Sequence, residues 1–323
     1  MNFYTHYTKR VTKLAKVFID GKAGTTGLRI YERLEGRKDL ELITLSDEDR
    51  KNYDKRKEAI NSADIVFLCL PDPAAIEAVG MIENDNVKII DTSTAHRTSE
   101  GWTYGFPELD EEKLKNLKTS KRVAVPGCHA GGFIALVYPL IKNGIIPADI
   151  KIACHSLTGY SGGGKKMIAE YEDENRSPLF DAPRQYGLTQ THKHLKEMKA
   201  ITGMEQNPIF CPIVSDFYSG MEMTVPLFAS DLCEGKTVED IKNVYASLYN
   251  SDIVKYKDSM DEGGLMSANA LSFKDRMEIT VCGNDERILL IARYDNLGKG
   301  ASGAAIECMN IMLGNESTLG LDI

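Results

Sequence analysis

The 323-residue sequence has no pair of cysteines at C-x-x-C spacing and no histidine at zinc-ligand spacing from a cysteine. Its seven cysteines, at 69, 128, 154, 211, 233, 282 and 308, are scattered. That pattern argues for a reducing compartment, here the cytoplasm, and for no metal site. No apolar run approaches the roughly 18 residues that a membrane helix needs, so no membrane partner is expected. Basic residues are in deficit, 39 Lys and Arg against 47 Asp and Glu for a net charge of −8. A nucleic-acid partner is therefore not expected, and an anionic substrate would have to meet a local cluster of Lys or Arg. Acids are missing from the first nineteen positions, which carry Lys9, Arg10, Lys13 and Lys16. That stretch also lacks serine and has few apolar residues, so a basic arm over 1–15 is expected rather than a mitochondrial presequence. There is no internal repeat and no low-complexity linker.

What is present is an alternation of strands and helices through the first half. Val17–Asp20, Leu40–Leu45, Ala63–Leu70, Val87–Asp91 and Arg122–Val125 read as strands. Leu28–Leu34, Asp54–Ser62, Ala74–Glu83 and Asp110–Thr119 read as the helices between them. The near-continuous apolar run at Ala63–Leu70 is typical of a strand buried on both faces of a parallel sheet. The rhythm predicts a doubly wound α/β sheet with right-handed crossovers. The second half changes: Met221–Phe228, Arg276–Cys282 and Arg287–Tyr294 look like hairpin and meander strands, predicting a separate α/β unit with an antiparallel or mixed sheet. The chain returns to helix over Gly300–Leu313.

Cys128 is the most informative residue. The strand Arg122–Val125 is broken by Pro126 and Gly127, and a helix begins beyond it, so the thiol sits at a helix N-terminus. Unpaired N–H groups and the helix dipole there favour an anion, which predicts a lowered thiol pKa and a better nucleophile. The competing reading is a small buried cysteine at a strand–helix junction. Other constellations surround it. Gly21, Gly24 and Gly27, between the first strand and helix, permit a tight turn, close approach to a pyrophosphate and helix packing, though their spacing departs from G-x-G-x-x-G. After the second strand, Ser46 with Arg50 and Lys51 could hold a 2′-phosphate, whereas the acids beside them could grip ribose hydroxyls. Ser93, His96 and Arg97 follow the strand ending at Asp91, where ligands of parallel sheets bind, and Ser161 and Lys165 flank a run of glycines. All five suit a phosphate or carboxylate. His192 and His194 could exchange a proton with a thiol, and Glu197 could orient an imidazole. Asn296 and Lys299 lie before a Gly/Ala-rich helix start that could pack on a cofactor.

These segments resemble N-acetyl-gamma-glutamyl-phosphate reductases of the shorter, type 2 form. The resemblance covers about residues 16–315 and rests on 18–27, 91–109, 126–130, 159–165, 192–197 and 295–305. It implies a Rossmann-type NADP-binding unit of residues 16–127 and 296–323 with a catalytic unit, 128–295, inserted between. It implies that Cys128 attacks an acyl phosphate, that NADPH reduces the thioester, and that His194, or else His192, is the acid and base. Gly21, Ala23, Gly24, Thr25, Thr26, Gly27, Ser46, Arg50, Asn296, Lys299 and Gly300 would then bind NADP(H). Ser93, His96, Arg97, Ser161 and Lys165 would bind the small anionic substrate. A homo-oligomer, a tetramer by family, is also implied. The chain departs from the family pattern at Gly131 (usually Thr), Lys196 (usually Pro) and Asp47 (often Pro), the last bearing on NADP preference. A sister acyl-phosphate reductase, such as aspartate-semialdehyde dehydrogenase, is the alternative enzyme. A non-catalytic nucleotide-sensing relative is the alternative of another class, and the intact Cys128, His192 and His194 argue against it.

Overall fold

A computed structural model describes residues 14–323. Most of the expected basic arm lies outside the described residues, and the first strand already begins at Ala15. The first sheet is wholly parallel: β1 (Ala15–Asp20), β2 (Leu40–Ile43), β3 (Ile65–Leu68), β4 (Lys88–Asp91), β5 (Thr103–Tyr104) and β6 (Arg122–Ala124), in the order β2-β1-β3-β4-β6-β5. The order reverses at β1, beside which a crevice opens at the carboxyl ends of the strands. Helices α1 (Thr25–Leu34), α2 (Tyr53–Ser62), α3 (Asp72–Gly80) and α4 (Glu111–Thr119) connect them. One face of this sheet packs Ile30 and Leu34 of α1 and Leu117 of α4. The other packs Ala59 and Ile60 of α2 and Ala75 and Ala78 of α3. Because both faces are covered, β3 is buried along its whole length, as its unbroken apolar run predicts.

After α5 (Cys128–Lys142) the chain builds the second sheet. Its strands are β7 (Ala153–Gly159), β8 (Arg184–Gln185), β9 (Ile209–Ser215), β10 (Met221–Phe228), β11 (Val254–Tyr256), β12 (Met277–Gly283) and β13 (Arg287–Tyr294). Their order is β11-β12-β13-β10-β7-β9-β8. The sheet is mixed, since β7 runs parallel to β9 and β11 to β12 while the other pairs are antiparallel. Helices α6 (Gly164–Glu172), α7 (His194–Thr202) and α8 (Val238–Leu248) belong to this half. Period-two burial along β10, with Met221, Met223, Val225 and Leu227 inward, places one face on the core with α5 and α8. The opposite face carries exposed Phe228, Ile209 and Leu289.

The C-terminal segment crosses back. Helix α9 (Gly303–Leu313) buries Ala304, Ala305, Cys308 and Met309 against the first sheet's core beside α1 and α4. The turn before it, Gly298–Ser302, is a π-helical turn. No helix among the described residues is long and apolar enough to cross a membrane.

Candidate active site

Cys128 opens α5, capped by Gly127 with extended backbone and no side-chain cap. It lines a cavity of about 370 Å³ together with Arg97, His129, Tyr186, His192, Lys193, His194, Ser161, Asn296 and Gly300. The position brings the thiol to a helix terminus as expected, but its acidity is not as expected. Burial pushes the Cys128 thiol above its ordinary value, and the Arg97 guanidinium and the His129 N–H only partly offset this.

The two histidines differ. A Cβ added to Gly127 would lie 2.5 Å from His194 Nε2 and against Arg97 Nη1, so both groups meet the residue preceding the thiol. His194 is buried, its Nδ1 has no hydrogen-bond partner among the described residues, and burial followed by Arg97 holds its pKa well below the ordinary value. It is therefore neutral at working pH. His192 Nδ1 accepts the His194 backbone N–H at 3.2 Å, closing the start of α7. Glu197, expected to orient an imidazole, instead accepts from Arg97 Nη1 (2.9 Å), Tyr104 Oη (2.7 Å) and the Gly127 N–H (2.8 Å). It fastens the nucleophile's cap rather than a histidine. Arg97 also donates to the carbonyls of Val125 and Thr92. Three of its five N–H groups are thus fixed, and one on each of Nη1 and Nη2 is left for a ligand. Gly127→Ala is expected to lower kcat about 10²-fold by displacing Arg97 and His194, with dinucleotide binding, followed by fluorescence quenching, retained.

The nucleotide-turn residues form a separate part of one crevice. A cavity of about 700 Å³ is lined by Gly21, Lys22, Ala23, Gly24, Asp47, Arg50 and Lys51. A second, of about 470 Å³, is lined by Gly24, Thr25, Thr26, Ser93, Arg97 and Lys193. Gly24 joins the first to the second, and Thr25, Thr26 and Arg97 join the second to the thiol cavity. The elongated crevice fits a dinucleotide. At Gly21 (φ +89°) a Cβ would collide with the Cys69 carbonyl, so only glycine lets the turn pass there. The first turn of α1 has no side-chain cap, which leaves its N–H groups for an anion. Gly27 lets α1 pack against the turn, since its Cβ would sit 2.5 Å from the Gly21 carbonyl oxygen.

Four expected contacts lie elsewhere. Ser46 is outside the crevice lining and its hydroxyl holds Asp49. His96 is outside every cavity described above: its Nδ1 pairs with Asp91 at 2.6 Å and its ring stacks on Trp102 at 4.1 Å. Lys165 is exposed on the first turn of α6, away from the thiol cavity's lining. Lys299 points away from its neighbour Gly300 into a buried cluster, 2.7 Å from Glu108 and 2.5 Å from Glu307. Gly300 itself comes so close that its Cβ would be 3.1 Å from Cys128 Cβ. Ser93 donates to Asp91 but still lines the second cavity, and Ser161 accepts from Asn296 Nδ2 at 3.0 Å. Tyr186, Tyr104 and His129 carry no signal in the sequence as site residues, whereas Lys193 lies within the His-x-His element.

The buried cluster makes its own prediction. Burial, then the like charge of Glu108, pushes Glu307 up to about 8 against the pull of Lys299. Below that pH folded Glu307 keeps a proton that the unfolded chain has lost, so stability falls as pH rises from the ordinary carboxyl range through about 8. In Glu307→Gln that dependence should vanish; Tm measured from mildly acidic to mildly alkaline pH checks it, and parallel curves for the two proteins would contradict it.

Known proteins resemble this chain in sequence and in fold. The semialdehyde dehydrogenase NAD binding domain matches residues 16–117, and the semialdehyde dehydrogenase dimerisation domain matches 128–296. N-acetyl-gamma-glutamyl-phosphate reductase 2 of Nostoc sp. is 42% identical over 95% of this chain and 99% of its own. The chain belongs to the N-acetyl-gamma-glutamyl-phosphate reductase family. The family member from Allorhizobium ampelinum is 45% identical over 93% of this chain and 99% of its own. Among solved structures, aspartate semialdehyde dehydrogenase II of Vibrio cholerae, complexed with ASA, superposes with a TM-score of 0.71 at 15% identity, covering 94% of this chain and 99% of that one. The aspartate semialdehyde dehydrogenase of Candida albicans, with NADP, gives 0.60 at 14% identity, covering 93% and 99%. At such identities these two structures speak for the fold, which this reductase family member shares.

Proposed function

We propose that the protein reduces N-acetylglutamyl 5-phosphate to N-acetylglutamate 5-semialdehyde with release of phosphate, in arginine biosynthesis in the cytoplasm. The observation that carries this is one cavity, continuous with the dinucleotide crevice, that the thiol of Cys128 lines together with neutral His194 and with Arg97, two of whose N–H groups are free. Residues 16–127 and 296–323 form the nucleotide unit and 128–295 the catalytic unit. Gly21, Ala23, Gly24, Thr25 and Thr26 hold the pyrophosphate side of NADP(H), Arg50 with Lys51 the 2′-phosphate, and Asn296 with Gly300 the end nearest the thiol. When bound, the cofactor supplies hydride to the acyl carbon.

The chain's own residues do the rest. The resting pair is a neutral thiol and a neutral imidazole, so the proton leaves Cys128 for His194 as sulfur attacks the acyl carbon. The C–S bond forms, the C–O bond to phosphate breaks, and the departing charge meets Arg97 and exposed Lys193. The product is a thioester on Cys128. When the aldehyde leaves, His194 returns its proton to the sulfur. Ser93 and Ser161 remain as hydroxyl contacts for the anionic substrate. Self-association into a homotetramer uses the open face of the second sheet, where Phe228, Ile209 and Leu289 are exposed.

The deciding experiment runs the reaction backwards: phosphate-dependent oxidation of N-acetylglutamate semialdehyde with NADP, repeated with NAD and with aspartate semialdehyde. Faster turnover of aspartate semialdehyde would sink the substrate assignment. A preference for NAD would sink the role given to Arg50 and Lys51.

A further inference from the structure

We propose that Ser156, His129 and Tyr186 form a one-way hydrogen-bond chain that makes the Tyr186 hydroxyl a fixed donor to the substrate's acyl oxygen beside Cys128. Ser156, on β7, is fully buried. The one partner of its Oγ among the described residues is His129 Nδ1, 2.7 Å away. A hydroxyl hydrogen stranded in the interior is costly, so the Ser156 O–H donates to Nδ1. Burial holds His129 neutral, with a pKa lowered to about 3. A neutral imidazole has a single N–H, and with Nδ1 accepting it must be on Nε2.

Nε2 faces the Tyr186 oxygen at 2.6 Å and therefore donates to it. The Tyr186 hydrogen is then left without an acceptor among the described residues, and Tyr186 lines the cavity that holds Cys128. The opposite polarity would strand the Ser156 hydrogen. Burial and the nearby sulfur of Cys128 keep the phenol protonated by pushing its pKa far upward. Each donor in such a chain polarises the next, which strengthens the last one.

Why the acyl oxygen? Arg97 and Lys193 already supply cationic donors for phosphate or carboxylate in this crevice. A neutral, pre-oriented donor next to the thiol suits an oxygen that gains charge only when sulfur attacks. Tyr186 is then a catalytic residue, and His129 and Ser156 are positioning residues. None of the three stood out in the sequence: His129 follows the nucleophile, and its partners lie 27 and 57 residues away.

The inference rests on the thioester reading, so wild-type turnover is measured first, and whichever semialdehyde proves the better substrate is carried forward. Tyr186→Phe is expected to lower kcat by about 10²-fold with KM little changed. A raised KM at unchanged kcat would put the hydroxyl on a ground-state binding group and overturn the proposal. Ser156→Ala should lower kcat several-fold in the wild-type background and have no effect in Tyr186→Phe. Ser156→Thr, which keeps the hydroxyl, should restore kcat. Additive effects of Ser156→Ala and Tyr186→Phe, or no recovery in Ser156→Thr, would equally overturn it, whereas a general packing defect would lower Tm in both backgrounds alike.

Discussion

Cys128→Ser is expected to lower kcat on the order of 10⁴-fold or more while leaving dinucleotide binding unchanged. A serine hydroxyl is far less acidic than the thiol it replaces, and the site does little to help. Of the two cations that line the cavity, Arg97 has most of its donors spent and Lys193 is exposed, and burial already works against an anion at position 128. A serine there would stay protonated and would leave poorly from the later intermediate. The same balance predicts how the native thiol behaves. Alkylation of Cys128 by a neutral reagent should rise continuously with pH across the neutral range, without the plateau of a pre-formed thiolate. A plateau at acidic pH would show that the helix terminus outweighs burial after all.

His194→Asn is expected to lower kcat by about 10²- to 10⁴-fold, and His192→Asn by much less. His194 Nε2 lies by the residue that precedes the thiol, while its Nδ1 is sealed in the interior. Its depressed pKa keeps it able to accept a proton well below neutrality. The acid limb of the kcat/KM profile should accordingly fall below the ordinary histidine range, and above it activity should hold level until the raised thiol pKa of Cys128 is approached. In His194→Asn that acid limb should disappear with the activity. His192 donates structure, since its Nδ1 holds the first N–H of α7, and replacing it should appear mainly in Tm. Equal losses of kcat in the two variants would contradict this division.

The parallel half of the fold was legible because its signals are local. Each strand–turn–helix step is written in consecutive residues, and β1 to β4 with their helices fall within a few positions of their apolar runs. Gly21 and Cys128 were legible for the same reason: a turn and a helix start need no distant partner. The residues that lie away from the crevice share the opposite property. Whether Lys299 faces a cofactor or an acid depends on Glu108, 191 residues earlier, and the fate of His96 depends on its stack with Trp102 and its pairing with Asp91. Thiol acidity failed likewise. The start of α5 is local, but the burial that raises the thiol is contributed by the whole cavity. Tyr186 gave no signal at all, because it lies next to a two-residue edge strand with no apolar periodicity.

The return of the last helix to the first sheet, by way of the end of β13, has a consequence for synthesis. Tyr294 Oη donates to the Cys128 carbonyl at 2.6 Å, and Asn296 and Gly300 close the wall of the same cavity. A chain growing from its N-terminus therefore completes the nucleophile's surroundings only when residues 294–300 have been made, more than 160 residues after Cys128. Until they leave the ribosome, Cys128 is an ordinary thiol on an unfinished wall. Chains released early would carry the reactive residue without the chamber that directs it.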